Sequence, residues 1–366
     1  MNLFSQKTKS FGLDISDLSL KIANVEKKGK NFELVSAGSC AIPKGVIKEG
    51  QIQDKIALIK AIKQGIENVK GKEIKTKSVA CCLPEEKSFL DVLHIPVLPE
   101  EEIASAVRFE AENHIPVPLE EVYFDFELIP PDQNNVIRKS NPAKQLEILI
   151  AATPKNIVDS YFNVLKKAGL RPVVMEVEPL SIVRALVKKA VSTKPFLIID
   201  FGASRTSFII FSGRSVGFTS TISISSQKLT LVIAKALSVT TKKAEKIKQE
   251  QGLQGDKAVF DSVVPVLTDL TEQIKSHLDY YKSHVPNAHT GGGSNKMGRI
   301  LLCGGGARLR GLSDFLTSTF KLKVEMADLW ANLEKPDSKI FSKASSGEFF
   351  GFSTAFGLAL RGHMFK

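Results

Sequence analysis

Two segments of the chain place an aspartate where an apolar strand meets a turn of small residues. In residues 11–21 this aspartate is Asp14, and in residues 197–208 it is Asp200. A second apolar run follows each turn, so each segment predicts a strand–turn–strand unit. A carboxylate at a strand end can hold Mg²⁺, usually through water, because Mg²⁺ keeps most of its hydration shell. Either segment alone also fits an ordinary β-hairpin.

A glycine-rich turn follows a third apolar run near the C-terminus and consists of Gly304, Gly305 and Gly306. Tight turns of small residues direct several backbone N–H groups into one space, where these groups bind phosphate oxygens. Lys21 lies across the first hairpin from Asp14, so its ammonium group can return to the same phosphates. Together these features indicate two similar halves that close over a nucleotide.

The composition excludes some classes of protein. The chain has 366 residues, of which 43% are hydrophobic and 24% charged, as in a globular protein of two or more domains. The net charge of +11 is compatible with nucleic acid, an anionic membrane surface or an acidic partner. The lysines are dispersed, and neither an aromatic-interleaved basic stripe nor a helix-turn-helix or ribonucleoprotein pattern is present. Nucleic acid is therefore not an expected partner.

The cysteines and the first residues indicate the compartment. Cys40, Cys81, Cys82 and Cys303 lack metal-ligand spacing and fit buried thiols in a reducing environment. Residues 1–10 contain no apolar signal core, and no apolar run has the length needed to span a bilayer. We therefore expect a cytoplasmic protein.

The hydrophobic pattern predicts an alternation of strands and helices. Strands are expected within 11–25 and 31–42, and over 78–83, 122–129, 146–152, 173–177, 196–200 and 206–211. Helices are expected over 54–70, 100–114, 154–168 and 179–191, through much of 227–285, and over 350–360.

One block differs from its surroundings. Pro99 precedes three glutamates, which suit the first turn of a helix, and Pro116 follows the end of that helix. Two strands come after it, and the resulting βαββ unit over roughly 84–165 is predicted to be an inserted subdomain. We predict that the core of domain I comprises residues 8–83 and 166–192, and that the insert comprises residues 84–165. The core of domain II is expected at 193–229 and 299–349, with a helical subdomain of domain II at 230–298. A C-terminal helix at 350–366 is expected to pack back on the core.

Several longer segments match one known family. They are residues 83–125, 168–172, 178–180, 243–248, 303–309 and 356–361. On these segments the chain resembles the actin-like ATPase superfamily, which includes actin, sugar kinases, FtsA and MreB, and most closely its PilM family of type IV pilus assembly proteins. The resemblance covers nearly the whole chain. It implies an α/β fold of the actin-like, ribonuclease H-like kind with two domains and an inserted βαββ subdomain.

The resemblance also implies a cofactor, ATP or ADP with Mg²⁺, in which Asp14 and Asp200 match the acidic positions around the metal. The positions that match nucleotide contacts are Asp14, Ser16, Asp17, Ser19 and Lys21 in the first phosphate turn, Asp200, Gly202, Ser204 and Thr206 in the second, Glu245 and Lys248 at the ribose and adenine, and Gly304, Gly305 and Gly306 at the adenosine. Glu178 falls where relatives place the catalytic residue that positions the attacking water, although it also fits a helix-start acid before Pro179.

The first phosphate turn departs from the family pattern. Ser16 stands where relatives have glycine, and Asp17 and Leu18 stand where they have small residues. A carboxylate beside a phosphate is repulsive unless a metal ion or a lysine compensates, and Leu18 narrows the turn. Ser225 and Ser226 replace an expected glycine pair. ADP binding, weak ATPase activity and loss of both are each compatible with these changes.

The resemblance implies a cytoplasmic scaffold of the type IV pilus, or of a related secretion machine, at the inner face of the cytoplasmic membrane. The expected partners are the cytoplasmic tail of PilN, which in relatives lies between the first subdomain and the insert, and other inner-membrane and motor components. Membrane contact is expected only through partners, and a homo-oligomer is compatible with the family. The alternatives are an FtsA-like cell-division filament protein, a nucleotide-free pseudo-ATPase adaptor and a small-molecule kinase.

Overall fold

The structure of the protein is a computed structural model that describes residues 9–130, 145–188, 191–284, 296–335, 341 and 348–364. Predicted segments that include residues 131–144, 189–190, 285–295 or 365–366 therefore lie partly outside the described ranges. Within these ranges, none of the helices is both long and apolar enough to cross a bilayer.

The described elements alternate as the hydrophobic pattern predicts. The strands are β1 Phe11–Ile15, β2 Ser19–Lys28, β3 Asn31–Ala41, β4 Ile47–Lys48, β5 Gln51–Ile52, β6 Lys70–Gly71, β7 Ser78–Leu83, β8 Phe89–Pro96, β9 Val122–Leu128, β10 Gln145–Pro154, β11 Arg171–Val177, β12 Ser192–Phe201, β13 Thr206–Gly213, β14 Ser215–Ile222, β15 Ile300–Cys303 and β16 Val324–Met326. The helices are α1 Lys55–Glu67, α2 Glu100–His114, α3 Lys155–Lys167, α4 Glu178–Leu186, α5 Ser226–Leu237, α6 Thr241–Gln251, α7 Lys257–His284, α8 Leu312–Phe320 and α9 Ser353–Met364.

Two sheets repeat one topology. In the first, β3, β2 and β1 form an antiparallel meander, and β7 and β11 continue it in parallel beside β1. In the second, β14, β13 and β12 form the meander, and β15 and β16 continue it beside β12. We call the parts built on these sheets the first half and the second half. The repeat confirms the prediction of two similar halves.

The insert contains a separate three-stranded sheet in the order β8, β10, β9, with both pairings antiparallel. Helix α2 covers it through Ile103, Val107 and Ala111, which belong to a hydrophobic cluster with the sheet. This arrangement follows the predicted βαββ order. Helix α3 instead packs its buried face into the core of the first half, through residues such as Tyr161. The domain boundaries given above stay a prediction.

Helix α9 closes the molecule against α4 and β1. The contact is close: a Cβ atom at Gly357 would lie 1.8 Å from the Ser181 carbonyl oxygen, and one at Gly12 would lie 2.3 Å from the Ala355 carbonyl oxygen. Only glycine permits these backbones to approach so closely. On its other side, α9 brings Phe356 to 5.5 Å from Trp330, between ring centroids. The C-terminal helix therefore contacts both halves.

One predicted helix ends earlier than expected, and some elements of the structure, among them β14, α8 and β16, were not predicted. Helix α4 ends at Leu186 rather than at residue 191, because Val187 has extended backbone angles. The strand β14 was not predicted: its side chains are mostly half-buried, and it lacks the alternation that marks a strand with one buried face.

Candidate functional site

The site is built on the ends of β1 and β12, which occupy equivalent places in the two halves. Asp14 is buried, and Lys21 lies directly opposite it on β2. The Lys21 Nζ atom donates to Asp14 Oδ2 at 3.1 Å, as the seven-residue spacing predicts for a hairpin. Cys82 on β7 donates a weak hydrogen bond to Asp14 Oδ1 at 3.5 Å. The first carboxylate is thus fixed in position before any ligand is considered.

Asp200 lies beside the glycine-rich turn of the second half. Its strand neighbour in parallel pairing is Cys303, which directly precedes the turn. Gly304 has φ +83°, and a Cβ atom there would lie 2.1 Å from Asp200 Oδ1. Any other side chain would therefore strain the backbone and displace the carboxylate. Gly305 has open space around it, so this part of the turn faces the cleft between the halves.

The carboxyl groups of Asp14, Asp200 and Glu178 lie around Lys21. When they are ionised, their combined negative charge exceeds the single positive charge of Lys21. Burial and the charges of Asp14 and Asp200 raise the pKa of Glu178 well above 4.5. Burial raises the pKa of Asp200 from 3.8 to about 6, although Lys21 opposes this effect. Burial would lower the pKa of Lys21, but the charge and hydrogen bond of Asp14 and the charges of Asp200 and Glu178 raise it overall. An added cation would relieve this excess of negative charge.

The two phosphate turns are internally ordered. The Ser16 backbone N donates to the Ser19 carbonyl at 2.9 Å, and the Ser16 hydroxyl donates to the same oxygen at 2.9 Å. Gly202 N donates to the Arg205 carbonyl at 2.9 Å, which closes the second turn. The Thr206 hydroxyl donates to the Ile224 carbonyl at 2.6 Å, so it is engaged within the second half. Ser204 is half-buried at the same turn.

The predicted adenosine contacts lie together beside Gly305 and Gly306. Glu245 and Lys248 form an ion pair at 2.7 Å on α6. The Lys248 Nζ atom also donates to the Ser226 carbonyl at 3.0 Å, to the Ser226 hydroxyl at 2.7 Å and to Thr230 Oγ1 at 2.8 Å. Burial lowers the pKa of Lys248 despite the neighbouring carboxylate. Lys248 is thus anchored by the chain itself, whereas the Glu245 side chain is 42% exposed.

The cleft at this end is narrow. Ser226, Glu245, Lys248, Gly305 and Gly306 are among the residues that surround a volume of about 50 Å³. Ligand pockets usually measure about 300–1,000 Å³. This space, which is lined by the second half alone, must therefore widen to admit a nucleoside.

Sequence reasoning missed three charged residues at the cleft. Arg205 donates to Asp17 across the two phosphate turns at 2.8 Å and also contacts Glu86. Glu85, next to Glu86, accepts from the Thr221 hydroxyl at 2.7 Å. The sequence signal was the acidic pair that follows β7, at the position equivalent to the glycine-rich turn after β15.

The described residues include no group of three or more His, Cys, Asp or Glu side chains arranged to hold a metal ion directly. Asp14 and Asp200 approach the site from opposite halves, so their oxygens suit a hydrated cation rather than a closed protein cage. Such a site fits Mg²⁺, which keeps several of its waters when bound.

The paired sheets and the cleft between them define an actin-like ATPase fold. A family model described as type IV pilus assembly protein PilM matches residues 12–363, and the chain belongs to this family. As a member of it, the chain acts in type IV pilus assembly.

Individual proteins are similar to this chain in sequence or in fold. A chain of a solved PilM-PilN type IV pilus biogenesis complex is 27% identical, with a TM-score of 0.79 and coverage of 98% of this chain and 99% of that chain. The cell division protein FtsA of Streptococcus pneumoniae serotype 2 is 23% identical over 344 residues, which are 86% of this chain and 74% of FtsA. MreB5 of Spiroplasma citri, solved bound to ADP, is 14% identical with a TM-score of 0.53, over 92% of this chain and 97% of its own.

The raised pKa of Asp200 leads to a prediction about stability. Replacing Asp200 by Asn should increase the free energy of unfolding at neutral pH by roughly 1–3 kcal/mol, because the native carboxyl ionises less readily than the unfolded one. The pKa of about 6 in the folded protein sets the upper limit of the pH range over which this stability difference changes. Below it, toward the unfolded pKa of about 3.9, the wild-type carboxyl becomes protonated and the advantage of the variant disappears. Urea unfolding across this pH range measures the effect.

Glu325→Gln is the matched control, because the pKa of Glu325 is shifted in the opposite direction and its removal should change stability in the opposite direction. The hydrogen bond with Lys323 lowers the pKa of Glu325 despite partial burial, so this variant should lose stability at neutral pH and regain parity in acid. Equal or lower stability of Asp200→Asn at neutral pH would contradict the prediction.

Proposed function

We propose that the chain is a nucleotide-binding scaffold of the inner-membrane assembly complex of the type IV pilus, and that it binds the cytoplasmic tail of PilN in a groove beside the insert. The observation that carries the partner site is a cavity of about 740 Å³ bounded by the insert and both halves. Its volume is within the usual range for ligand sites and far exceeds that of the space beside Gly305 and Gly306. The similar PilM-PilN complex supports PilN as the partner.

The groove combines an apolar wall with a fixed ionic floor. Apolar residues on its surface include Phe32, Leu128, Val183, Trp330 and Leu333. At its floor, the Arg184 guanidinium donates from Nη2 to Glu176 Oε2 at 2.9 Å and from Nη1 to Oε1. A site of this kind suits an extended peptide that places apolar side chains in the groove.

The walls come from three parts of the chain. Leu128 lies at the end of β9 in the insert, Phe32 begins β3 in the first half, and Trp330 belongs to the second half. The Glu334 backbone N donates to the Phe32 carbonyl at 2.7 Å, and the Asn332 side chain donates to the Val187 carbonyl at 3.0 Å. Any movement between the halves therefore alters the groove, which would connect partner binding to the state of the cleft.

In the cleft we propose that Asp14 and Asp200 hold a hydrated Mg²⁺ and that Lys21 contacts the phosphates of ATP or ADP. Ser16, Asp17 and Ser19 would line the first phosphate turn, and Gly202, Ser204 and Thr206 the second. Glu245, Lys248 and the turn at Gly304, Gly305 and Gly306 would contact the nucleoside. Two observations support this proposal. The carboxylates around Lys21 are not fully neutralised by it, and there is open space around Gly305.

Glu178 is the proposed residue that positions an attacking water in a weak ATPase reaction. Its Oε1 accepts from the Thr354 hydroxyl at 3.4 Å, and burial together with the charges of Asp14 and Asp200 raises its pKa. The protein would lie at the inner face of the cytoplasmic membrane through PilN and other pilus components, in the cytoplasm, with or without self-association.

A nucleotide-free adaptor is the second candidate, and the small volume beside Gly305 and Gly306 is the observation that favours it. In that case the groove would still bind the tail, and the cleft would serve only to hold the halves together. The next two experiments separate these functions.

The first experiment blocks the nucleoside end of the cleft. Gly305→Val adds bulk where a Cβ atom meets open space, so it should weaken binding of a fluorescent ADP at least about tenfold without lowering the melting temperature. Gly217→Val is the control, because a Cβ atom there makes ordinary contacts with Tyr281 and lies away from the cleft. Unchanged ADP binding by Gly305→Val would contradict the proposed nucleoside site.

The second experiment tests the groove. Trp330 is the single tryptophan of the chain and lines the groove, so its fluorescence should change when a synthetic PilN tail peptide is added. Leu128→Asp should weaken that binding at least about tenfold, because it places a charge on the apolar wall. Leu231→Asp is the control: Leu231 is 50% exposed on α5 and Leu128 is 43% exposed, so both variants should fold. Equal binding by both variants would contradict the proposed groove.

A further inference from the structure

Three charged side chains join the halves beside the phosphate turns, and the function proposed above does not use this arrangement. The Arg205 guanidinium extends from the second phosphate turn, and its Nη2 donates to Asp17 Oδ1 at 2.8 Å. Its Nη1 contacts Glu86 Oε1. Asp17 belongs to the first phosphate turn, whereas Glu86 lies in the short 3-10 helix Glu85–Lys87 at the base of the insert. We call these three residues the clasp.

The clasp is shielded from solvent. The three side chains are only 15% to 18% exposed. The Asp17 carboxylate also accepts from the backbone N of Glu49 at 3.2 Å and of Gly50 at 3.1 Å. Charges that are paired in this way are strongly destabilised when one partner is removed, because the other partner stays buried and uncompensated. The clasp therefore resists opening in the absence of any ligand.

The clasp also lies where the two phosphate turns face each other. Arg205 directly precedes Thr206 in the second turn, and Asp17 follows Ser16 in the first. A guanidinium binds a phosphate and a carboxylate with the same donor geometry. A phosphate that enters between the turns would thus compete with Asp17 and Glu86 for one arginine, and it would meet their negative charge until it displaced them.

We infer that Asp17 is a built-in anion that occupies Arg205 in place of a terminal phosphate, so that the cleft closes without nucleotide and selects a nucleoside diphosphate over a triphosphate. This inference rests on the cleft being the nucleotide site. A diphosphate leaves the clasp intact, whereas a triphosphate has to break it. The departure of Asp17 from the small residues of relatives thereby becomes a determinant of nucleotide specificity.

Opening the clasp has a consequence for the insert. Glu86 is at the base of the insert, and its neighbour Glu85 is bonded to Thr221 on β14 of the second half. If Glu86 were released from Arg205, the Glu85–Thr221 hydrogen bond would still connect the base of the insert to the second half. A triphosphate should therefore loosen the base of the insert, and a diphosphate should not.

The test compares two variants. Asp17→Asn removes the charge of Asp17 at constant shape. Asp91→Asn, the control, removes the charge of a carboxylate on β8 that pairs with His114 on α2. Fluorescent ADP and ATP are titrated with Mg²⁺ into each full-length protein. The wild type and Asp91→Asn should bind ADP at least about tenfold more tightly than ATP, and Asp17→Asn should reduce this preference to about threefold or less.

Hydrogen exchange of the nucleotide-free proteins provides a second readout that needs no ligand. In Asp17→Asn, the backbone N–H groups present within residues 84–88 and 202–206 should exchange at least about tenfold faster than in Asp91→Asn, since the clasp no longer holds these segments. ATP should produce the same acceleration in the wild type.

The outcomes separate the inference from the proposed function. Nucleotide binding with an ADP-to-ATP preference that Asp17→Asn leaves unchanged overturns the inference but keeps the nucleotide site. Absence of nucleotide binding to every variant overturns the nucleotide site and the selectivity together. Unchanged exchange at residues 84–88 and 202–206 in Asp17→Asn overturns the closing role of the clasp, even if the variant remains fully folded.

Discussion

The burial of three carboxylates around one lysine is the constraint on which the rest of the structure depends. Asp14 and Asp200 come from opposite halves, and with Glu178 they bring more negative charge to the cleft than Lys21 can balance. Such an arrangement is costly unless a cation enters or the groups become protonated. The repeated sheet topology places the two aspartates at equivalent strand ends, and helix α9 keeps the halves in register around them.

A second constraint is that the same two halves of the chain contribute residues to both the cleft and the groove. The chain closes the cleft with its own ion pairs between Arg205, Asp17 and Glu86, and it lines the groove with segments from the insert and from both halves. A change in the angle between the halves would therefore reach both sites at once. This geometry suits a scaffold whose partner site responds to the cleft, because an interface built from several rigid parts has few stable arrangements.

Much of this organisation is visible in the sequence, because it depends on local pattern. The apolar run at 78–83 and the acids after Pro99 predict β7 and the start of α2 at the residues where they occur. The two aspartate turns likewise predict the equivalent strand ends. The clasp was missed because Arg205 and Asp17 are 188 residues apart, and neither periodicity nor turn chemistry relates such distant positions. Strand β14 was missed because it is half-buried and mostly polar, so its sequence lacks the sustained alternation of apolar and polar residues that indicates a strand.

We propose that the buried carboxylates admit a nucleotide only together with a divalent cation. Calorimetric titration of the folded protein with ADP, once with Mg²⁺ and once with a chelator at equal ionic strength, tests this claim most directly beside the variant Asp200→Ala. Binding should require Mg²⁺ in the wild type and be lost in Asp200→Ala. Binding that is equally tight without Mg²⁺, or that survives in Asp200→Ala, would contradict it.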